Sequence, residues 1–245
     1  MSVSDRLKDL SKADLDDIAR DCDINPKGMT KPEILKQLIP LFKEYEAEKA
    51  RYTKIQQLGS KGKEGTVFLV KDSKNKTYAM KEFAKTKSSK NIEKEAILLK
   101  KASEFGLSPR MIAYDTVHNY IVMEKMEKSL FDHIKETKGK LSVKLQKEMI
   151  NIFKKLDKIQ IFHADPSPLN FMFDREGGLK IIDFGFAKPI DESVEKQHGT
   201  RDVNMKYMPL GFILKMSDFV DPSSFTELLK HVSEEDKKRI PLLNK

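Results

Sequence analysis

His163-Ala-Asp-Pro-Ser-Pro-Leu-Asn170 and the strand-like Leu179-Lys-Ile-Ile-Asp-Phe-Gly185 decide the reading of this 245-residue chain. They set out an acidic residue, Asp165, an amide five positions on, Asn170, and a second acid, Asp183, ending a short apolar run before Gly185. Carboxylate and amide oxygens suit a hard cation such as Mg2+, and a further carboxylate can orient an attacking hydroxyl. Each signal alone is weak. In this order and spacing they predict a phosphoryl-transfer site for ATP and Mg2+. Asp165 is assigned to accept or orient the hydroxyl proton, Asn170 and Asp183 to hold the metal, and His163 to a structural role. Phe171-Met-Phe and Leu179-Lys-Ile-Ile should form the hairpin, turning at Arg175-Glu-Gly-Gly178, that joins the two metal ligands.

Upstream of this segment, Leu145, Met149, Ile152, Phe153, Leu156 and Ile159 recur at helical spacing behind a Ser142 cap, which predicts a core-facing helix leading to His163. Ser129-Leu-Phe-Asp-His-Ile reads as a short helix, preceded by strands at Ser108 to Asp115 and Asn119 to Met126. The second strand ends in a hinge whose backbone at Glu124 and Met126 would take an adenine edge, with Met123 behind the base or simply in the core. Thr77-Tyr-Ala-Met-Lys81-Glu-Phe is a further strand, and Lys81, among apolar neighbours, is the expected cation for the α and β phosphates. The following helix, from Ser89 to a stop at Gly106, offers Glu93 and Glu95 as its ion-pair partner; Leu98 and Leu99 favour Glu95. Before Lys81, Ile55 to Lys71 reads as strand, glycine turn, strand, with Val67 and Leu69 alternating with outward partners. Gly62, Lys63, Glu64, Gly65, Thr66 and Val67 would bring backbone amides to phosphate oxygens, since glycine puts no side chain in the way.

Taken together, residues 52 to about 190 resemble a eukaryotic-type protein kinase, through the His-x-Asp-x-x-x-x-Asn loop, the Asp-Phe-Gly and the Ala-Met-Lys81. Within that group the style is similar to the minimal RIO and KEOPS-complex kinases. Gly62-Lys-Glu-Gly-Thr-Val-Phe68 resembles the RIO phosphate loop, and Ser167 stands two residues after Asp165 where typical protein kinases have Lys. The resemblance implies a bilobal α+β fold, with an antiparallel β-sheet N-lobe at 51–126 and a reduced, mainly helical C-lobe at 127–245. It departs after Gly185, where no Ala-Pro-Glu-like sequence follows. Residues 186–205 are polar, a substrate or activation loop or a surface excursion. Tyr207 to Leu214 and Phe225 to Val232 should supply apolar helix faces that close the lobe.

Residues 1–50 form a separate helical module and connector. Ser11 caps a helix with Asp14 completing an acidic capping box and Leu15, Ile18 and Ala19 on one face. Thr30 caps a second, with Ile34, Leu35, Leu38 and Ile39 inward, that Pro40 should kink or end, while Glu44 to Arg51 is a charged, helical connector. This pattern resembles a SAP-type module over about residues 7 to 42, which implies a DNA tether. Its nine Lys/Arg against eleven Asp/Glu oppose phosphate binding, leaving a protein-docking helical pair as the other reading.

The net charge of +8 therefore comes from residues 51–245, as a solvated, Lys-rich surface. One cysteine, Cys22, excludes an intrachain disulfide and a thiolate metal cluster. No signal-like N-terminus or membrane-length apolar run is present, so an intracellular protein, cytoplasmic or nuclear, is expected. The functional expectation is transfer of the ATP γ-phosphoryl group to Ser or Thr of a protein. Alternatives are a small-molecule kinase, a RIO-like ATPase switch, a pseudokinase scaffold and a DNA-tethered adaptor. Substrate and oligomeric state have no signature in the sequence.

Overall fold

A computed structural model describes residues 3–22, 24–49, 51–59, 62 and 64–240. The chain divides into two compact units, Met1–Thr53 with Lys71–Lys76, and Lys54–Val70 with Thr77–Lys245.

The first unit is three helices, α1 (Val3–Asp9), α2 (Lys12–Asp21) and α3 (Lys31–Lys49). Ser11 and Asp14 form the reciprocal capping box at the start of α2, which satisfies two of the donors a helix N-terminus leaves open. At α3 the Glu33 carboxylate accepts the Thr30 N–H at 2.7 Å. Leu7, Leu15, Ala19, Ile34 and Leu38 make a small core of their own. One helix is additional to the expected pair, and one expectation, that Pro40 could end α3, is corrected. Helix α1 carried too short an apolar pattern to be foreseen, yet Leu7 is buried in that core. Pro40 does not end α3, which runs on to Lys49; its ring lies on the exposed face and forfeits only the one donor that proline lacks.

The second unit opens with a five-stranded sheet in the order β1-β2-β3-β5-β4: β1 (Thr53–Leu58), β2 (Gly65–Lys71), β3 (Thr77–Phe83), β4 (Met111–Asp115) and β5 (Tyr120–Met123). β5 pairs antiparallel with both β3 and β4, in a register that sets Lys81 opposite Ile121. The inward alternation expected of Val67 and Leu69 is not what forms. Both are half-buried, and Val70 is the buried residue of β2.

Helix α4 (Ser89–Glu104), capped by Ser88 and stopped by Gly106 at φ +68°, packs Ile92, Ala96, Leu98 and Leu99 into the main core. That core continues into the helical half. There follow β6 (Lys128–Ser129), α5 (Leu130–Glu136) and α6 (Val143–Lys158), whose Leu145, Met149, Ile152, Phe153 and Leu156 are buried as their spacing predicts. After α6 come β7 (Ile161–Phe162), a 3-10 turn at Pro168–Asn170, and the antiparallel hairpin of β8 (Phe171–Phe173) and β9 (Leu179–Ile181). Residues 186–205 are more ordered than their polarity suggested. They hold β10 (Lys188–Pro189), paired with β7, and α7 (Glu192–His198), before α8 (Val203–Met216) begins. Phe225 to Val232 forms a 3-10 turn at Leu228–His231, not an α-helix, and α9 (Glu234–Lys237) closes the described chain.

Three buried polar side chains, Asp157, Asn204 and Gln146, lock this half together. Asp202, the N-cap residue of α8, makes no side-chain cap, and Asp157 of α6 takes over that task. Its Oδ1 accepts the backbone N–H and the Nδ2 of Asn204 at 2.8 and 2.7 Å, and its Oδ2 accepts the Met205 N–H at 3.0 Å. Asn204 in turn donates to Ile161 O and accepts the His163 N–H at 3.0 Å, so α8, α6 and the loop at His163 share one network. Gln146, fully buried, donates to Leu141 O and Ser224 O and accepts from the N–H groups of Glu227 and Leu228, fixing the C-terminal turns to α6.

Candidate active site

β3, α4 and the end of the β9 segment converge on Lys81. Its Nζ lies 2.6 Å from Glu95 Oε1 on α4 and 2.7 Å from Asp183 Oδ1. Glu93, the other candidate, is exposed. Burial alone would lower the Lys81 pKa, but the carboxylates of Glu95 and Asp183 outweigh it and the net shift is upward, so the site contains a held ammonium. Burial also pushes the Asp183 carboxyl up, and the Lys81 ammonium with the Gly185 N–H pulls it below the ordinary carboxylate range. Asp183 adopts φ +63° and Ala164, just before Asp165, φ +64°. Left-handed backbone at non-glycine residues is costly, and here it falls on the two acid-bearing segments.

His163 is fully buried. Its Nε2 donates to Ile182 O at 2.9 Å, its ring meets Phe184 edge-on at 5.0 Å, and its Nδ1 has no partner among the described residues. Burial holds the imidazole below its ordinary pKa, which suits a neutral strut between the loop and the Asp-Phe-Gly segment. Asp165 follows it. Its Oδ2 accepts Asn170 Nδ2 at 2.8 Å, and its Oδ1 lies 2.6 Å from the Nζ of Lys215, in the last turn of α8. Sequence reading missed Lys215, which stands fifty positions away from its partner and carried no local signal.

The described residues of the glycine turn are Gly62 and Glu64, which precede β2, and Gly65, which begins it. The Gly62 N–H donates to Gly65 O at 2.9 Å; Lys63 lies outside the described residues. A Cβ on Gly65 would collide with Glu82 O, so the start of β2 needs glycine to press against β3. Thr66 and Val67 follow in β2, half-buried. Glu64, expected to act through its backbone, instead turns its carboxylate inward. Its Oε2 is 2.8 Å from Lys87 Nζ and 3.8 Å from Lys81 Nζ. Lys87, in the β3–α4 connection, was also missed, and bonds Glu95 Oε2 at 2.8 Å. The carboxylates of Glu64, Glu95 and Asp183 come within 4.8 Å of one another, and the ammonium groups of Lys81 and Lys87 sit among them.

At the hinge the Glu124 N–H is engaged by Arg110 O at 2.9 Å and the Glu127 N–H by Phe173 O. Neither the Glu124 carbonyl nor the Met126 N–H bonds another turn or loop backbone group among the described residues, and the Met126 side chain is buried. The residues fit a hard divalent cation by their chemistry. Asn170 donates its Nδ2 to Asp165 and Asp183 uses Oδ1 for Lys81 and Gly185, so Asn170 Oδ1 and Asp183 Oδ2 make no hydrogen bond within the described residues.

A five-stranded sheet with a lysine tied to a helix glutamate, joined to a helical half bearing the paired Asp loops, defines a protein kinase domain. The chain belongs to that family: its model, described as protein kinase domain, matches residues 52–217, about two thirds of the chain. Similar curated proteins include a probable serine/threonine-protein kinase of Clostridium perfringens, 44% identical over 31% of this chain and 12% of its own length. The serine/threonine-protein kinase Nek3 of Mus musculus is 29% identical over 56% of this chain and 28% of its own. The stress-activated protein kinase JNK of Suberites domuncula is 29% identical over 58% and 43%. The chain thus spans less than half the length of each of these relatives. Among the described residues no helix is long and apolar enough to cross a membrane.

Proposed function

We propose that this protein transfers the γ-phosphoryl group of ATP to a Ser or Thr hydroxyl of another protein. The observation that carries this is the convergence of Lys81, Glu95 and Asp183 within 2.7 Å contacts, beside a separate Asp165–Asn170 pair. In this reading Glu95 holds Lys81 extended toward the α and β phosphates, and the Glu124 carbonyl and Met126 backbone take the adenine edge. Gly62, Gly65, Thr66 and Val67 line the phosphate path. Asn170 and Asp183 would hold Mg2+, which supplies charge neutralisation on the phosphate oxygens when bound. Asp165, fixed from both sides by Asn170 and Lys215, orients the acceptor hydroxyl. It takes the proton as the acceptor oxygen bonds to the γ-phosphorus and the bond to the β–γ bridging oxygen breaks.

The finer likeness to RIO and KEOPS-complex kinases is supported by the Gly62-to-Phe68 turn and by Ser167, which caps the Pro168–Asn170 turn through the Leu169 N–H. Ser167 has no charge to offer, and Lys215 supplies a cation at Asp165 instead. For the helical unit we propose docking of a protein partner, because its acidic balance weakens the case for DNA; steeply salt-dependent DNA binding by the whole chain would reverse that choice.

The test is label transfer from γ-labelled ATP with Mg2+, offered acidic and basic proteins in parallel with small amines and alcohols. Labelled Ser or Thr in protein is the expected result. Label only on a small molecule, or free phosphate with no labelled acceptor, would replace it with a small-molecule kinase or an ATPase switch.

A further inference from the structure

Lys87 has no part in the scheme above, yet it is as deeply set as Lys81. Both side chains are 11% exposed, and both ammonium groups lie over the ring of the buried Phe83, at 4.6 and 5.0 Å. Glu95 bridges them, Oε1 to Lys81 and Oε2 to Lys87. The second partner of Lys87 is Glu64, which belongs to the glycine turn.

The three carboxylates around these ammonium groups are not held alike. Glu95 sits in the middle of α4 with its side chain 4% exposed, and Asp183 is fixed by its left-handed backbone and the Gly185 N–H. Glu64 lies between Gly62 and Gly65; its side chain is 36% exposed against 41% for Asp183, but unlike Asp183 its carboxylate accepts no backbone N–H among the described residues. A Cβ on Gly185 would stand 2.5 Å from Glu64 Oε2, so a side chain at residue 185 would push that carboxylate from its present place. A carboxylate in this place repels phosphate and must leave before phosphates can approach Lys81. Its departure strips Lys87, whose side chain is only 11% exposed, of one of two anions, and a half-paired ammonium that deep is unfavourable unless another anion replaces the lost one.

We propose that Lys87 is a second phosphate-binding cation of the nucleotide site, and that Glu64 is its resident counter-ion, exchanged for the terminal phosphates of a nucleoside triphosphate. The inference rests on the nucleotide-binding reading of this site and adds to it a residue and the movement of one side chain, that of Glu64. The two ammonium groups are then satisfied in both states, by the Glu64 carboxylate in one and by the ligand phosphates in the other.

The experiment is calorimetric titration of the full chain with Mg-ATP and, separately, with adenosine, for wild type, Lys87→Met, Lys87→Arg and Glu64→Gln. Lys87→Met should weaken ATP binding about tenfold or more and change adenosine binding less than about twofold. Lys87→Arg should recover most of the loss, and Glu64→Gln should bind ATP several-fold more tightly with adenosine unchanged. Equal effects of Lys87→Met on ATP and adenosine, or none on either, would reduce Lys87 to a structural partner of Glu95 and overturn the proposal. Unchanged or weaker ATP binding in Glu64→Gln would overturn the exchange. If wild type binds adenosine and ATP equally, the phosphate cations fail and the purine site stands; if it binds neither, the nucleotide reading falls as well.

Discussion

Individual side chains matter here chiefly as charges held in fixed places. Lys81→Met removes the cation that joins Glu95 to Asp183, and should lower phosphoryl transfer by about 10²-fold or more while the chain still folds, as followed by label transfer and circular dichroism. His163 yields a pH prediction. Burial depresses its folded pKa below the ordinary value of about 6.5, so between the two values the unfolded chain binds more protons. Its contribution is therefore full above about pH 6.5 and is lost as pH falls toward the folded value. Denaturant unfolding at stepped pH should show stability declining below about pH 6.5, and a flatter slope in His163→Gln; equal slopes would contradict the neutral-strut role. The sequence made Lys81, Glu95, Asp165, Asn170 and Asp183 legible because each belongs to a local pattern, a strand end, a helix face or a fixed spacing. Lys87 and Lys215 were not legible. In a chain this rich in lysine, only folding separates an ammonium packed on Phe83 from one in solvent, and Lys215 meets Asp165 only because α8 ends beside the loop.

Among elements, the helices announced themselves where a cap and a long apolar stripe coincide. Ser11, Ser129 and Ser142 each accept a backbone N–H three residues on, at the starts of α2, α5 and α6. The readings that failed are those where one local rule acted alone. Pro40 does not end α3, its ring lying on the exposed face, and the apolar run of Phe225 to Val232 makes no α-helix, since Gln146 captures the backbone N–H groups of Glu227 and Leu228. The start of α8 shows a further limit, since its capping group comes from another helix. Asp157→Ala would strip three N–H donors of a buried acceptor and should destabilise the chain by about 3 kcal/mol, read from denaturant midpoints at constant m. Because Asn204 also holds the His163 N–H, the same variant should lower transfer at a temperature where it remains folded. A change in stability with full activity would show that the network supports the fold and not the loop.

For the whole molecule, composition narrowed the possibilities and topology settled the class. The five-stranded sheet and one continuous core from α4 to α8 belong to one unit and a small helical core to the other. The positive excess lies after residue 50, so acidic protein acceptors should be labelled faster than basic ones at low ionic strength, with the difference shrinking as salt is raised above about 0.15 M. A preference that ignores salt would assign specificity to local contacts instead. The most direct test of the central claim compares label transfer from γ-labelled ATP in wild type, Asp165→Asn and Asp183→Ala, with each variant checked for a wild-type fold. Labelled protein in wild type and its disappearance in both variants is the predicted result; transfer that persists when either carboxylate is removed would contradict the site described.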